Sequence, residues 1–143
     1  MDIRQYKNSD TKAVIFLWDT CNVLVTSNNP KQDIARKLAV DPDLFLIGEI
    51  DGIIVATVMG GYEGHRGWIN YLAVHPEYQR NGFGKRIMLE IENRLKMKGC
   101  PKINVQIRAT NENVISFYQK IGFLDDNVIG LGKRLFEDEK FIS

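Results

Sequence analysis

The sequence predicts a mixed α/β domain, a mostly antiparallel central sheet of six to seven strands with helices on both faces. Three observations predict it. β-rich runs at Leu44 to Ile50 and Ile53 to Met59 flank Asp51-Gly52, a two-residue hairpin signal, so these neighbours run antiparallel. The apolar run Trp68 to Val74 passes through a glycine-containing turn into a helical stripe at Ile87, Met88, Ile91 and Leu95. Another β-rich run, Lys102 to Arg108, follows that helix. A strand–helix–strand crossover of this length favours parallel pairing, which makes the sheet mixed.

Each element follows in order. Ile3 to Tyr6 predicts a first strand, ending at the polar cap Asn8-Ser9-Asp10. Val14, Leu17, Trp18, Cys21, Leu24 and Val25 then recur at helical spacing until Ser27-Asn28-Asn29-Pro30 breaks the helix. Pro30 suits the first turn of a second helix, carried through Ile34 and Leu38. After the hairpin, Gly60-Gly61 is expected to interrupt the chain before the strand near Trp68. The helix from Gly84 to Lys98 and the strand Lys102 to Arg108 come next. Val114, Phe117, Tyr118 and Ile121 then form the stripe of a short helix stopped by Gly122. Asp126 to Ile129 and Leu131 to Phe136 are expected to close the sheet as a final pair of strands. At 143 residues, 44% hydrophobic, without repeat, linker or low-complexity tract, residues 1–143 are expected to form one domain with a sizeable core.

The turn Gln79-Arg80-Asn81-Gly82-Phe83-Gly84-Lys85 lies where a strand hands over to a helix. There the first helical N–H groups lack internal partners and the helix dipole is positive. Glycine removes the Cβ that would keep a ligand off the backbone. Arg80, Lys85 and Arg86 add positive charge, so the turn is a cradle for phosphate oxygens. A nucleoside-triphosphate loop would need Gly at position 79 and Ser or Thr after the lysine; Gln79 and Arg86 stand there. A dinucleotide fingerprint would need a third glycine, and Lys85-Arg86-Ile87 supplies none.

A second motif follows the strand at Ile103 to Arg108. It runs Asn111-Glu112-Asn113-Val114-Ile115-Ser116-Phe117-Tyr118-Gln119-Lys120-Ile121-Gly122-Phe123. The hydroxyl of Tyr118 must find a partner if the ring is buried. The glycine turn resembles the Q/R-x-x-G-x-G/A signature of the GNAT acetyltransferases, and this run is similar to their second acetyl-CoA motif. The resemblance covers essentially the whole chain. The segments Met59 to Gly67 and Leu131 to Leu135 look most like the small bacterial YpeA-type members.

That resemblance implies the GNAT fold and an acetyl-CoA-dependent N-acetyltransferase acting on a primary amine, either a small molecule or a protein or peptide. It implies that the backbone of Leu72, Ala73 and Val74 binds the pantetheine and thioester end. An exposed strand edge offers N–H groups that polarise a carbonyl, so the assignment is chemically sound. Gln79, Arg80, Asn81, Gly82, Phe83, Gly84 and Lys85 would hold the pyrophosphate, and Asn111 the pantetheine arm. Tyr118 would protonate the departing thiolate. Several family members place a glutamate base where this chain has Gln106, which cannot titrate. Glu63 is the candidate substitute, set against a plain solvated loop carboxylate or deprotonation through ordered water. The rival from another class is a non-catalytic acyl-CoA-binding sensor or regulatory module.

Bulk properties narrow the rest. A formal charge of +1 offers no field to recruit nucleic acid or an anionic membrane. Cys21 and Cys100 show neither disulfide nor zinc spacing and suit a reducing compartment. No metal is indicated, because His65 and His75 lack a matching carboxylate or cysteine spacing. His75 reads as part of a His-Pro turn. The opening residues carry no apolar signal stretch, and the uncharged run Gly52 to Tyr62 is too short to span a bilayer, so a cytoplasmic location is expected. The acceptor is open at this stage, as is the oligomeric state, a homodimer being one option.

Overall fold

A computed structural model describes residues 1–142. Strands β1 (Asp2–Gln5), β2 (Phe45–Ile50), β3 (Ile53–Tyr62), β4 (Gly67–Val74) and β5 (Ile103–Asn104) form one sheet in the order β1-β2-β3-β4-β5. The first four pair antiparallel and β5 joins β4 in parallel. At the hairpin between β2 and β3, Asp51 (φ 50°) and Gly52 (φ 79°) are both left-handed, as a tight turn matching the strand twist requires.

Helices cover both faces, as expected. β2 shows why. Phe45 and Ile47 point to one layer, with Trp18 and Leu17 from α1 (Thr11–Thr20) and Ile34 from α2 (Pro30–Val40). Leu44, just before β2, and Leu46 point to the other, with Ile87, Met88, Ile91 and Leu95 from α3 (Phe83–Met97) and Tyr118 from α4 (Glu112–Lys120). The two-residue period of a strand thus feeds both cores.

Four expectations need correction. First, α1 ends at Thr20 and not at Val25. Asn22 is left-handed (φ 57°), and the N–H groups of Val23 and Asn22 donate to Trp18 and Asp19 carbonyls, a helix-stopping motif that the apolar spacing beyond it conceals. Second, Gly60-Gly61 does not interrupt β3; both residues pair with β4, opposite Ile69 and Trp68. A Cβ on Gly60 would lie 2.7 Å from Ile91 Cγ1, so this glycine lets α3 sit close on the sheet. Gly60→Ala is therefore expected to cost at least about 1 kcal/mol, read as a lower melting temperature.

Third, β5 is confined to Ile103–Asn104, short of the expected run to Arg108. Fourth, the described residues form five strands, not six to seven, and 126–136 adds none. Side-chain ties hold that segment and its continuation instead of a backbone ladder. Asp126 accepts from Lys102 at 2.8 Å, Arg134 donates to the Ser27 carbonyl at 2.6 Å, and Asp138 pairs with Arg36 at 2.5 Å.

Candidate active site

The site is built where β4 meets α3 and α4. β4 pairs with β5 only at Gly67↔Ile103 and Trp68↔Asn104. From Ile69 to Val74 that edge has no strand partner among the described residues. On the other edge, Thr57 pairs with Ala73 and Met59 with Asn70, so Val58 faces both Tyr71 and Leu72. This is a β-bulge, with Tyr71 left-handed at φ 51°. An aromatic residue in that conformation costs about 1 kcal/mol or more, and surrounding structure must hold it there. Leu72 is the second residue of the bulge, and Ala73 and Val74 follow it along the open edge.

Beyond Val74 the chain turns through Pro76–Tyr78 into the glycine loop. Arg80 (φ 66°) and Gly82 (φ 76°) are both left-handed, and Gly82 is the N-cap of α3 without a side-chain cap. None of the backbone N–H groups from Gln79 to Lys85 donates to a protein acceptor among the described residues; the first helical bond is from Arg86 to the Gly82 carbonyl. These unspent donors at the dipole-positive helix end form an anion cradle. The Gln79 side chain donates to the Val74 carbonyl at 3.0 Å, tying the loop to the strand end, and Asn81 donates to the Tyr78 carbonyl at 3.2 Å. A Cβ on Gly84 would meet the Phe117 ring at 3.1 Å and Val74 Cγ2 at 3.6 Å. Strand end, helix start and α4 therefore converge at one point.

Tyr118 follows Phe117 and is 4% exposed, wedged edge-on between Phe117 (5.3 Å) and Phe123 (5.2 Å). Burial pushes its hydroxyl above the ordinary phenol range. Asn111 caps α4, its side-chain oxygen accepting from Val114 N–H at 3.3 Å. α4 then stops in a left-handed turn at Gly122 (φ 102°), as its sequence predicts.

The remaining candidates fall elsewhere. Glu63 sits in the loop joining β3 to β4, and its carboxylate accepts from the N–H groups of Arg66 and His65 and from Trp68 Nε1 at 3.0 Å. The Arg66 N–H above all, then the His65 N–H and the Trp68 indole, hold its carboxyl below the usual range. The loop is at the opposite end of β4 from the cradle: seven residues, or roughly 23 Å, separate Gly67 from Val74. Gln106 is exposed beside Gly130. His75 Nδ1 accepts from Glu77 N–H at 3.1 Å, the turn role expected of it. Cys21 and Cys100 are free thiols. Among the described residues no helix is long and apolar enough to cross a membrane, and no group of His, Cys, Asp or Glu clusters as a metal site. The bulge at Tyr71 escaped the sequence, since nothing local announces an aromatic residue in a left-handed conformation.

An open strand edge leads into an N–H cradle beside the buried Tyr118 ring, an arrangement suited to an extended ligand that carries phosphate. Comparison with known proteins gives the class, an acyltransferase. Residues 10–123 match the sequence profile of the Acetyltransferase (GNAT) family. An acetyltransferase of Sodalis glossinidius (strain morsitans) is 46% identical over 142 residues, 99% of this chain and 100% of that one. The PaiA N-acetyltransferase of Thermoplasma acidophilum, solved in complex with coenzyme A, superposes with a TM-score of 0.76 at 20% identity, over 90% of this chain and 92% of that one. An aminoglycoside 6'-N-acetyltransferase of Acinetobacter haemolyticus gives 0.75 at 18% identity, over 95% and 100%. The chain belongs to the GNAT acetyltransferase family, whose members use acetyl-CoA.

Proposed function

We propose that this chain moves an acetyl group directly from acetyl-CoA to a primary amine. One arrangement carries the reading: the unpaired edge of β4 runs into the cradle at Gln79 to Lys85, and Tyr118 is buried alongside. When bound, acetyl-CoA supplies an activated thioester for the amine to attack. The N–H groups of the cradle, with Arg80, Lys85 and Arg86 around them, hold the pyrophosphate oxygens. Backbone groups of Leu72, Ala73 and Val74 hold the pantetheine arm and orient the carbonyl. Asn111 spends its oxygen on the α4 cap, which leaves its NH2 group for the same arm. Tyr118 keeps its proton through the neutral range, because burial favours the uncharged phenol, and gives it to the leaving sulfur. A sulfur held against that ring would be shielded from water too, and its basicity would rise with that of the phenol.

On the amine side Gln106 cannot titrate, and Glu63 is committed to its loop. We assign deprotonation to ordered water and give Glu63 a loop-organising role. Glu63→Gln is then expected to leave kcat and KM within ~2-fold and the acidic limb of the pH–rate profile in place. A tenfold fall in kcat with loss of that limb would restore Glu63 as the base.

The direct test is release of free thiol from acetyl-CoA across aminoglycosides, polyamines, amino acids and peptide N-termini. Turnover with at least one amine is expected. Calorimetric binding of acetyl-CoA with no turnover on the whole panel would overturn the reading in favour of a non-catalytic acyl-CoA sensor. Two free cysteines and the near-neutral charge fit a cytoplasmic enzyme without nucleic-acid or membrane partners.

A further inference from the structure

The bulge in β4 is held from outside the strand. The Tyr71 hydroxyl donates to Asp33 Oδ2 on α2 at 2.6 Å, and the Tyr71 ring stacks on Trp18 of α1 with centroids 3.9 Å apart. The Tyr71 carbonyl accepts from Thr57 Oγ1 at 2.9 Å, and that hydroxyl accepts from Trp18 Nε1 at 2.9 Å. Asp33 is set in turn: Arg36 donates to its Oδ1 at 3.1 Å and pairs with Asp138 at 2.5 Å, while Asp138 accepts from the Asn29 N–H at 2.9 Å. Ring, hydroxyl and carbonyl of one left-handed residue are thus each fastened to a different element.

A strut of this kind has a consequence for the site. The conformation at Tyr71 sets the direction in which the next residues, Leu72 to Val74, present their backbone groups to the open edge. If the residue relaxed to an extended conformation, β4 could re-register on β3 and those groups would turn away. We infer that Tyr71 and Asp33 form a positioning unit, which holds the β4 bulge so that the following backbone groups polarise the acyl carbonyl. The inference rests on the proposed acetyl transfer. Neither side chain need touch the thioester; Tyr71 acts through its own backbone, and Asp33 acts through Tyr71. Burial and the Asp33 carboxylate both favour the protonated phenol, so the bond is made with Tyr71 as donor across the working pH range.

The experiment reads the carbonyl itself. [1-13C]Acetyl-CoA is bound to the wild-type chain and to Tyr71→Phe, Asp33→Ala and Asp33→Asn, with affinity measured by calorimetry and folding by melting temperature. Polarisation displaces the bound 13C resonance from its free position. Tyr71→Phe and Asp33→Ala are expected to lose most of that displacement while affinity stays within ~2-fold. With any amine the enzyme accepts, kcat is expected to fall at least ~10-fold without a matching rise in KM. Asp33→Asn keeps an oxygen able to accept from Tyr71 and is expected to rescue the signal in large part. A wild-type resonance in both Tyr71→Phe and Asp33→Ala, even with lower melting temperatures, would overturn the inference and leave the proposed activity standing. Failure of the wild-type chain to bind acetyl-CoA would overturn both.

Discussion

Tyr118→Phe is expected to lower kcat roughly 10²-fold, with acetyl-CoA affinity almost unchanged. Only one oxygen is removed. The ring keeps its edge-on contacts with Phe117 and Phe123, and α4 keeps its cap at Asn111 and its stop at Gly122. The hydroxyl oxygen makes no hydrogen bond to another protein group among the described residues and is not itself fully buried, so deleting it orphans no donor or acceptor. The melting temperature should stay the same or rise slightly, which separates a proton donor from a packing residue. A normal kcat in the folded variant would remove Tyr118 from the chemistry. The pH profile adds a check. A raised phenol pKa keeps the acid form populated to high pH, so the wild-type basic limb should not show a loss of activity below the ordinary tyrosine range.

The cradle is tested by a pair of substitutions at Gly82. Its φ of 76° is left-handed, and an added Cβ would meet no atom within 4 Å. The constraint is therefore conformational rather than steric crowding within the chain. Valine is β-branched and resists this conformation, so Gly82→Val should force the loop to rearrange and scatter the N–H groups from Gln79 to Lys85. Acetyl-CoA binding is expected to weaken at least ~10-fold, or about 1.4 kcal/mol. Asparagine tolerates the left-handed region, so Gly82→Asn should keep much of the affinity. Calorimetry showing equal affinity in both folded variants would sink the cradle as the pyrophosphate site.

Much of this was legible along the chain because the signals are local. The Asp51-Gly52 turn, the Pro30 helix start, the stripe on α3 and the Gly122 stop each depend on neighbours a few residues away. The glycine loop was legible for the same reason: its cradle is backbone geometry at one strand-to-helix junction. Where the apolar spacing misled, something that spacing does not record decided, a backbone turn in one case and a tertiary contact in the other. Val23 to Val25 continue an apolar spacing, yet Asn22 had already closed the helix. Gly60-Gly61 reads as a breaker, yet the close seat of Ile91 on the sheet explains why a glycine is used inside a strand.

The sequence by itself determined the class of the protein, the order of its elements through α4, and the glycine turn at the start of α3. Each of these is written in residues adjacent in the chain, where backbone preference and spacing carry the information. Tertiary structure alone decided three things. It ended the sheet at five strands among the described residues, where 126–138 is tied to Lys102, Ser27 and Arg36 through side chains and joins no strand ladder. It spent the Glu63 carboxylate on its own loop. And it set Tyr71 in a left-handed bulge gripped by Trp18, Asp33 and Thr57, residues 53, 38 and 14 positions away. A conformation unfavourable for the residue itself can be stabilised only by groups that folding brings to it.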